Sequence, residues 1–250
     1  MTTQFYNVIA LLRKEVNEFL SSLIGYLVIS VFLCAIGLFM WVFPIDINVL
    51  NGGYANLDAL FTLAPWVFLF LCPAITMRLF AEENRAGTME LLMTRPLTEW
   101  NIVLAKFLAG WILSILALLP TLIYFWSVHQ LGSPKGNLDV GGVLGSYVGL
   151  IMLAGAYIAI GLFSSSLTSN QIVSFISSVF LCFVLFIGFD SLSGFVPTGS
   201  FELIFISLGI NEHYMSMSRG VIDTRDLLYF GSLIFLFLFF SKTKLSSRKW

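Results

Sequence analysis

Long apolar stretches alternate with short polar ones along the chain. A helix needs about 20 apolar residues to cross a bilayer, because each residue rises about 1.5 Å and the hydrocarbon core is about 30 Å thick. Five stretches reach or nearly reach that length. A sixth, 227–240, is uncharged for 14 residues and would span if Lys242 and Lys244 extend toward the headgroups. The pattern predicts an all-α polytopic membrane protein with transmembrane helices near residues 19–43, 59–80, 104–128, 140–163, 171–190 and 226–243.

Residues 1–18 precede the first predicted span and have a helical periodicity of their own. Apolar residues recur at steps of three and four from Phe5 to Phe19, while Arg13, Lys14 and Glu18 lie elsewhere on the helical wheel. This pattern predicts an amphipathic helix in the membrane interface. The alternative is a plain cytoplasmic extension of the first span.

The composition agrees with a membrane protein. Hydrophobic residues make up 58% of the chain and charged residues 11%, against roughly 45–50% and 25% in ordinary globular proteins. The net charge of −1 excludes the basic surface of a nucleic-acid-binding protein. Cys34, Cys72 and Cys182 lie inside apolar runs rather than at metal-ligand spacing, so they are predicted to be core residues, with no metal site.

The distribution of lysine and arginine predicts the orientation. An even number of spans places both chain ends on one side of the membrane. If that side is the cytoplasm, ten Lys and Arg residues are cytoplasmic and three are outside. Because cytoplasmic flanks carry the positive excess, both termini are predicted to be cytoplasmic.

The sequence lacks the common catalytic motifs. It contains no Gly-Lys pair, and therefore no phosphate-binding loop, and neither H-E-x-x-H nor G-x-S-x-G occurs. The predicted spans hold no ionisable residue in their interiors, since Arg78, Lys106 and Asp190 lie at span ends, and His129 and His213 fall in predicted outer loops. Intramembrane charges mark enzymes and ion-coupled carriers, so both classes are disfavoured.

The densest polar stretch lies between the second and third spans, at residues 82–96, and is called the 82–96 segment below. The spacing predicts that the second span continues as a helix through Arg85 and ends at Gly87, and that 88–93 forms a second short helix. Met89 and Leu92 would share one face of that helix, with Glu90 pointing away, a pattern that suits docking into a groove on another protein. The alternative is a helical turn whose charges pair with one another, such as Glu82 with Arg78 or Arg85.

Small residues and prolines mark the span interiors. Gly141, Gly145 and Gly149 form a doubled G-x-x-x-G at the start of the fourth span, which predicts close helix packing, within one chain or between subunits. Prolines in the second and third spans each remove a backbone hydrogen bond and predict bends, at Pro65, Pro73 and Pro120.

The stretch E-E-N-R-A-G-T-M-E-L-L-M-T-R-P, residues 82–96, resembles the E-x-x-x-G-T-x-E-x-L-L-x-x-P signature of type 2 ABC transporter permeases. The six-span layout with both ends inside is similar as well. Residues 63–78, 102–110, 157–170 and 212–223 resemble, more narrowly, the permease subunit of the gliding-motility-associated ABC transporter.

This resemblance implies a subunit of the bacterial inner membrane whose energy comes from a separate cytoplasmic ATPase. ATP and Mg²⁺ would bind that ATPase, and no cofactor is expected on this chain. The other implied partners are a second permease copy or a related permease, and an auxiliary membrane or periplasmic subunit. The coupling role of the signature in such permeases is implied for Glu82, Glu83, Arg85, Gly87, Thr88, Glu90, Leu91, Leu92, Arg95 and Pro96.

The outer segment 191–225 has two open interpretations. In similar permeases this region holds short outer helices that dip into the membrane, and residues 201–208 are apolar enough to do so. The segment also carries polar residues that would suit a periplasmic partner, and the candidates for that contact are His213, Tyr214, Arg219 and Asp223.

Two functional hypotheses follow. The first is a permease that couples ATP binding on its partner to rearrangement of the spans, with the transport path at a dimer interface. The second is a membrane anchor or regulatory subunit of a motility or secretion machine that moves no solute.

Overall fold

The computed structural model describes residues 2–45, 47–93, 97–194 and 205–247. All regular structure within these residues is helical, and six helical stretches are long and apolar enough to cross a membrane. The prediction of an all-α polytopic membrane protein is therefore confirmed. The six stretches are Leu23–Val42, Asp58–Ala86, Glu99–Leu131, Val140–Leu167, Gln171–Ser193 and Thr224–Ser246.

We number the α-helices in chain order. Two π-helical turns extend α2 and α9, and a 3₁₀ turn at Leu119–Thr121 joins α6 to α7 around Pro120, where the sequence predicts a bend. The helices are α1 Thr2–Leu20, α2 Leu23–Gly37, α3 Asp58–Thr76, α4 Ala81–Ala86, α5 Thr88–Met93, α6 Glu99–Leu118, α7 Leu122–Leu131, α8 Val140–Leu167, α9 Gln171–Phe183, α10 Phe189–Ser193, α11 Ile210–Ser218 and α12 Thr224–Ser246.

The N-terminal helix α1 is separate from the first span. The chain turns at Ser21 and Ser22, and the Ser22 hydroxyl accepts a hydrogen bond from the Gly25 N–H at 3.1 Å, which caps α2. A helix distinct from the first span therefore forms, in place of a plain extension, and its location in the membrane interface stays a prediction. The buried residues of α1 are Leu11, Glu15 and Phe19, and the helix packs mainly on α6. The sequence pattern predicts instead that its apolar face lies toward lipid.

Three of the spans form the interior of the bundle. The second, third and fourth spans are 61%, 61% and 72% buried over their most apolar windows, whereas the first, fifth and sixth are 22%, 22% and 28% buried. The central helix is α8, which packs against α3, α6, α9, α11 and α12. Its many Gly, Ala and Ser residues allow this, since small side chains let helix backbones approach on several sides.

The second span does not run unbroken into the 82–96 segment. Helix α3 ends at Thr76 and a turn follows to Phe80 before α4 begins. The Thr76 hydroxyl donates to the carbonyl oxygens of Cys72 and Pro73, and such back-bonding weakens helix continuation. The prediction of a continuous helix through Arg85 is therefore wrong at residues 77–80.

The glycine face of α8 packs against α11 and the turn after it. A Cβ added to Gly145 would lie 2.5 Å from the carbonyl oxygen of Gly220, and one on Gly149 would lie 2.8 Å from Cβ of Met217. Gly141 is exposed, and an added Cβ there would meet only Asp139 of its own helix cap. Of the two alternatives for this stripe, the contacts at Gly145 and Gly149 are those of packing within one chain.

Candidate functional site

The 82–96 segment begins as two short helices separated by one glycine. Helix α4 ends at Gly87, whose φ of 68° lies in the left-handed region that favours glycine. The N–H of Gly87 bonds to the carbonyl oxygen of Glu83, and the Thr88 hydroxyl lies 3.5 Å from the same oxygen. This glycine allows α5 to leave in a new direction directly after α4.

The two helices present different residues to solvent and to the core. Glu82, Arg85, Gly87, Thr88 and Glu90 are exposed. By contrast Met89 is only 5% exposed and Leu92 is half-buried against the core. The apolar side of α5, which the spacing suggested as a contact face, therefore covers its own protein, and the outward surface is charged and polar. Leu91 lies in α5, and Arg95 and Pro96 fall outside the described residues.

Glu83 points inward, into a cluster of buried charges. The ammonium group of Lys106 on α6 is fully buried and lies 2.9 Å from Glu83 and 2.9 Å from Glu15 of α1. It also donates a hydrogen bond to the carbonyl oxygen of Leu79 at 2.6 Å. A buried charge is tolerated when it is paired and hydrogen-bonded in this way. The cluster therefore holds α1, α4 and α6 together at one point.

Lys14 completes this cluster from its outer side. Its ammonium group lies 3.5 Å from Glu15, 3.6 Å from Glu83 and 3.7 Å from Glu18. Burial acts to lower the pKa of Lys14, but the three carboxylates together outweigh it and the pKa is raised. Lys14 is therefore protonated at neutral pH, and it compensates the second buried carboxylate.

Arg78 lies beside this cluster, and its contacts differ from the pairing with Glu82 that the sequence suggested. Its guanidinium donates to the Ser22 hydroxyl at 2.9 Å and lies over the Phe19 ring, 5.7 Å from the centroid. The described contacts therefore do not show the internal pairing of Arg78 with Glu82 that was the alternative to docking. A cleft of about 50 Å³ between α1 and α4 opens beside these residues.

Helix α4 is also fixed to the end of α8. The Ser165 hydroxyl accepts hydrogen bonds from the backbone N–H groups of Phe80 at 3.1 Å and Ala81 at 3.0 Å, and it donates to Met77 O at 3.2 Å. The Asn84 side chain donates to the carbonyl oxygen of Thr168 at 3.2 Å. Any displacement of α4 is therefore resisted by the central helix of the bundle.

Both described chain ends lie at the same end of the bundle as this segment. The contact of Lys106 with Glu15 brings α1 to the start of the third span. The Ser246 hydroxyl at the end of α12 lies 3.1 Å from the carboxylate of Glu99, which begins α6. The common placement predicted for the two termini and the 82–96 segment agrees with these contacts.

At the opposite end, His213 on α11 bonds within the chain. Its Nδ1 lies 2.7 Å from the carboxylate of Asp226 and its Nε2 lies 3.0 Å from the carbonyl oxygen of Ser207. The ring stacks on Tyr229 with centroids 3.9 Å apart. His213 therefore ties α11 to the start of α12.

Tyr214 is equally occupied inside the protein. It is 1% exposed, and its hydroxyl donates to the carbonyl oxygen of Phe61 in α3. Burial raises the pKa of Tyr214, so that the hydroxyl keeps the proton it donates. Of the four outer residues considered for partner contacts, the exposed ones are Arg219 and Asp223, and Asp223 also caps α12 by accepting from the Arg225 N–H at 2.9 Å.

The sequence did not reveal the Lys106 cluster. The sequence predicts a span that begins near residue 104, with Lys106 at its end, yet α6 begins at Glu99, so Lys106 lies two turns inside it. Glu15 had no distinguishing pattern, and no spacing links it to a lysine 91 residues away. The one signal that the sequence offers is that Glu15 is an acidic residue among the apolar positions of α1.

Six apolar spans, with a two-helix segment between the second and third, define the class of this chain as a multi-pass membrane protein. A comparison with family models then gives the particular family. The chain belongs to the ABC-2 family transporter proteins, whose family model matches residues 9–222. No curated protein matches the chain.

Membership of this family gives the chain its general role. It is a permease subunit of an ABC transporter, and the family implies an ATPase partner subunit. The matched residues include α1 from residue 9 onward, the Lys106 cluster, the 82–96 segment and α11.

Proposed function

We propose that this permease couples ATP binding and hydrolysis on its ATPase partner to rearrangement of its spans, with the exposed face of α4 and α5 as the docking site. The observation that carries the proposal is the division of residues in this segment. Its outward residues, such as Glu82, Arg85 and Glu90, are solvated and charged, while Glu83 and Met89 are fixed against the core. A surface of this kind receives a partner's push and passes it into the bundle.

We place this end of the bundle in the cytoplasm, which is where an ATPase would reach it. The support is the ten to three distribution of Lys and Arg along the sequence. With this orientation both termini are cytoplasmic and α11 lies near the outer surface of the bacterial inner membrane.

A gliding-motility-associated system is the particular setting that we propose. The support is the resemblance of residues 63–78, 102–110 and 212–223 to the permease of such systems. The partners would then be a second permease copy or a related permease, and an auxiliary membrane or periplasmic subunit. Arg219 and Asp223 are the exposed candidates for contacts with that auxiliary subunit.

Co-purification of the ATPase tests the docking site. The variant Arg85→Glu with Glu90→Lys reverses two exposed charges and leaves the net charge unchanged, so that folding is preserved and capture of the ATPase is lost. Glu212→Lys, an exposed reversal in α11, is the matched control and retains the ATPase. Undiminished capture by the double variant would remove the docking role.

The reconstituted complex then separates transport from anchoring. An ATPase rate in liposomes that responds to a candidate solute supports a transporter. A rate that is indifferent to every solute and sensitive to an auxiliary protein supports the anchor or regulatory subunit instead.

A further inference from the structure

The fully buried Lys106 is the strongest feature that the docking proposal leaves unexplained. It is the one ammonium group among the described residues with no exposed surface, and it lies 5.2 Å from the centroid of the Phe80 ring. Removing an ion from water is costly, and well-packed apolar residues often give equal or greater stability. A role beyond simple packing is therefore the natural hypothesis.

The geometry of Lys106 links two carboxylates that would otherwise repel. Glu15 on α1 and Glu83 on α4 both contact its Nζ at 2.9 Å, although they are far apart in the chain. Lys14 touches the same two carboxylates from outside at 3.5 and 3.6 Å. Two positive and two negative charges thus balance, and α1 is joined to α4 both through Lys106 and by the contact of Lys14 with Glu83.

The direct contact between α1 and the 82–96 segment passes through these charges. Glu83 stands one turn before Gly87, on the inward side of the proposed docking surface. Glu15 stands in the second half of α1, between the buried residues Leu11 and Phe19, and α1 packs mainly against α6. A displacement of α4 that keeps the ion contacts must therefore carry α1 with it.

We propose that Lys106 is a positioning residue that joins the 82–96 segment to α1, so that movement of the docked segment is passed to the N-terminal helix. This inference rests on the proposed function, because it needs an ATPase that moves the segment. It assigns α1 an active part in the cycle, connected to the 82–96 segment through the Lys106 cluster, in which Lys14 also contacts Glu83.

Spin-label distances test this joint in the complex with the ATPase. One pair, Arg13→Cys with Leu131→Cys, reports α1 against the opposite end of the bundle, and a second, Ala86→Cys with Leu131→Cys, reports the segment. All three label sites are exposed. Cys34 is replaced by Ser because it is exposed, whereas Cys72 and Cys182 are buried.

The decisive variant is Glu83→Met with Lys106→Met, which removes one charge of each sign, takes away both ion contacts of α4 and leaves Glu15 with Lys14 on α1. In the unmodified background, ATP with vanadate shifts both distances. In the double variant we expect the Ala86 distance to shift while the Arg13 distance stays constant. Glu18→Gln, which alters another contact of Lys14, is the control and retains both shifts.

The outcomes separate the two proposals. Two results overturn the joint alone, and in both of them the Ala86 distance shifts. In the first, the Arg13 distance shifts equally in the background and in the double variant. In the second, the Arg13 distance shifts in neither. An Ala86 distance that is unchanged in the background overturns the proposed function, and the joint with it. Loss of ATPase capture in the double variant would also overturn the joint, because it would make the cluster part of the docking surface.

Discussion

The hydroxyl of Tyr214 donates to the carbonyl oxygen of Phe61, the carbonyl that Pro65 leaves without a helical partner. Phe61 and Pro65 are four residues apart in α3, and proline has no N–H to offer. A residue of α11 thus completes the hydrogen bonding of the second span. This contact explains why Tyr214 is buried in the protein and does not reach an outer partner.

Tyr214→Phe should destabilise the protein by about 0.5–1.5 kcal/mol, because the buried carbonyl loses its donor. The effect should shrink when Pro65→Ala restores an N–H at the fourth residue. The double-mutant cycle is measured by thermal unfolding in detergent, with a thiol-reactive dye that reports exposure of Cys72 and Cys182, in a Cys34→Ser background. Equal losses with and without Pro65 would show that the two residues act independently.

Gly145→Ala should cost about 1–3 kcal/mol, because its new Cβ would overlap the backbone of Gly220 and overpacking forces shifts. Gly149→Ala should behave similarly against Met217. Gly141→Ala is the matched control on the same helix, where open space makes the change neutral or slightly stabilising. If all three variants unfold at the same temperature in the same dye assay, these glycines do not provide the close approach of α8 and α11.

Ser165→Ala should destabilise by about 1–3 kcal/mol, because the backbone N–H groups of Phe80 and Ala81 lose their shared acceptor. Ser241→Ala removes an equally buried hydroxyl whose hydrogen bond, among the described residues, runs back to Phe237 in its own helix, and it should have little effect. The difference between the melting temperatures of these two variants measures how much the Ser165 hydrogen bonds to α4 stabilise the protein. Identical values would indicate that water replaces Ser165 at the start of α4.

Lys106→Met alone should cost about 3–5 kcal/mol, because two carboxylates remain buried with a single partly exposed lysine. Adding Glu15→Met should recover much of that loss, since the remaining Lys14 and Glu83 then carry equal and opposite charges. Glu18→Gln should change stability by less than about 1 kcal/mol, as its ion pair is exposed. A double variant as unstable as the single one would mean that charge balance is not the cause.

The sequence predicted those parts of the fold that depend on local chemistry. Hydrophobic length located the six spans, and Gly87 located the end of α4, because a left-handed residue after a short helix is a local requirement. The turn at 77–80 was missed because it depends on the Ser165 hydroxyl of another helix. The inward direction of Met89 was missed for the same reason, since the spacing shows which residues share a face and not what covers it.

The candidate site was predictable only on its outer side. Exposed charges such as Glu82 and Glu90 are visible in the sequence as a polar run between apolar ones. The long-range partners of Glu83 and Lys106 follow from how α1, α4 and α6 pack. His213 and Tyr214 looked like surface residues because they lie in a polar stretch, and only the packing of α11 reveals that they bond to α12 and α3.

The unequal burial of the six spans bears on how chains of this kind change over evolutionary time. A side chain that faces only lipid can be exchanged for almost any other apolar one, whereas a side chain in a close-packed interior is restricted in volume and shape. Substitutions should therefore accumulate fastest on α2, α9 and α12. The inner trio of α3, α6 and α8 should be the part by which distant relatives are still recognised.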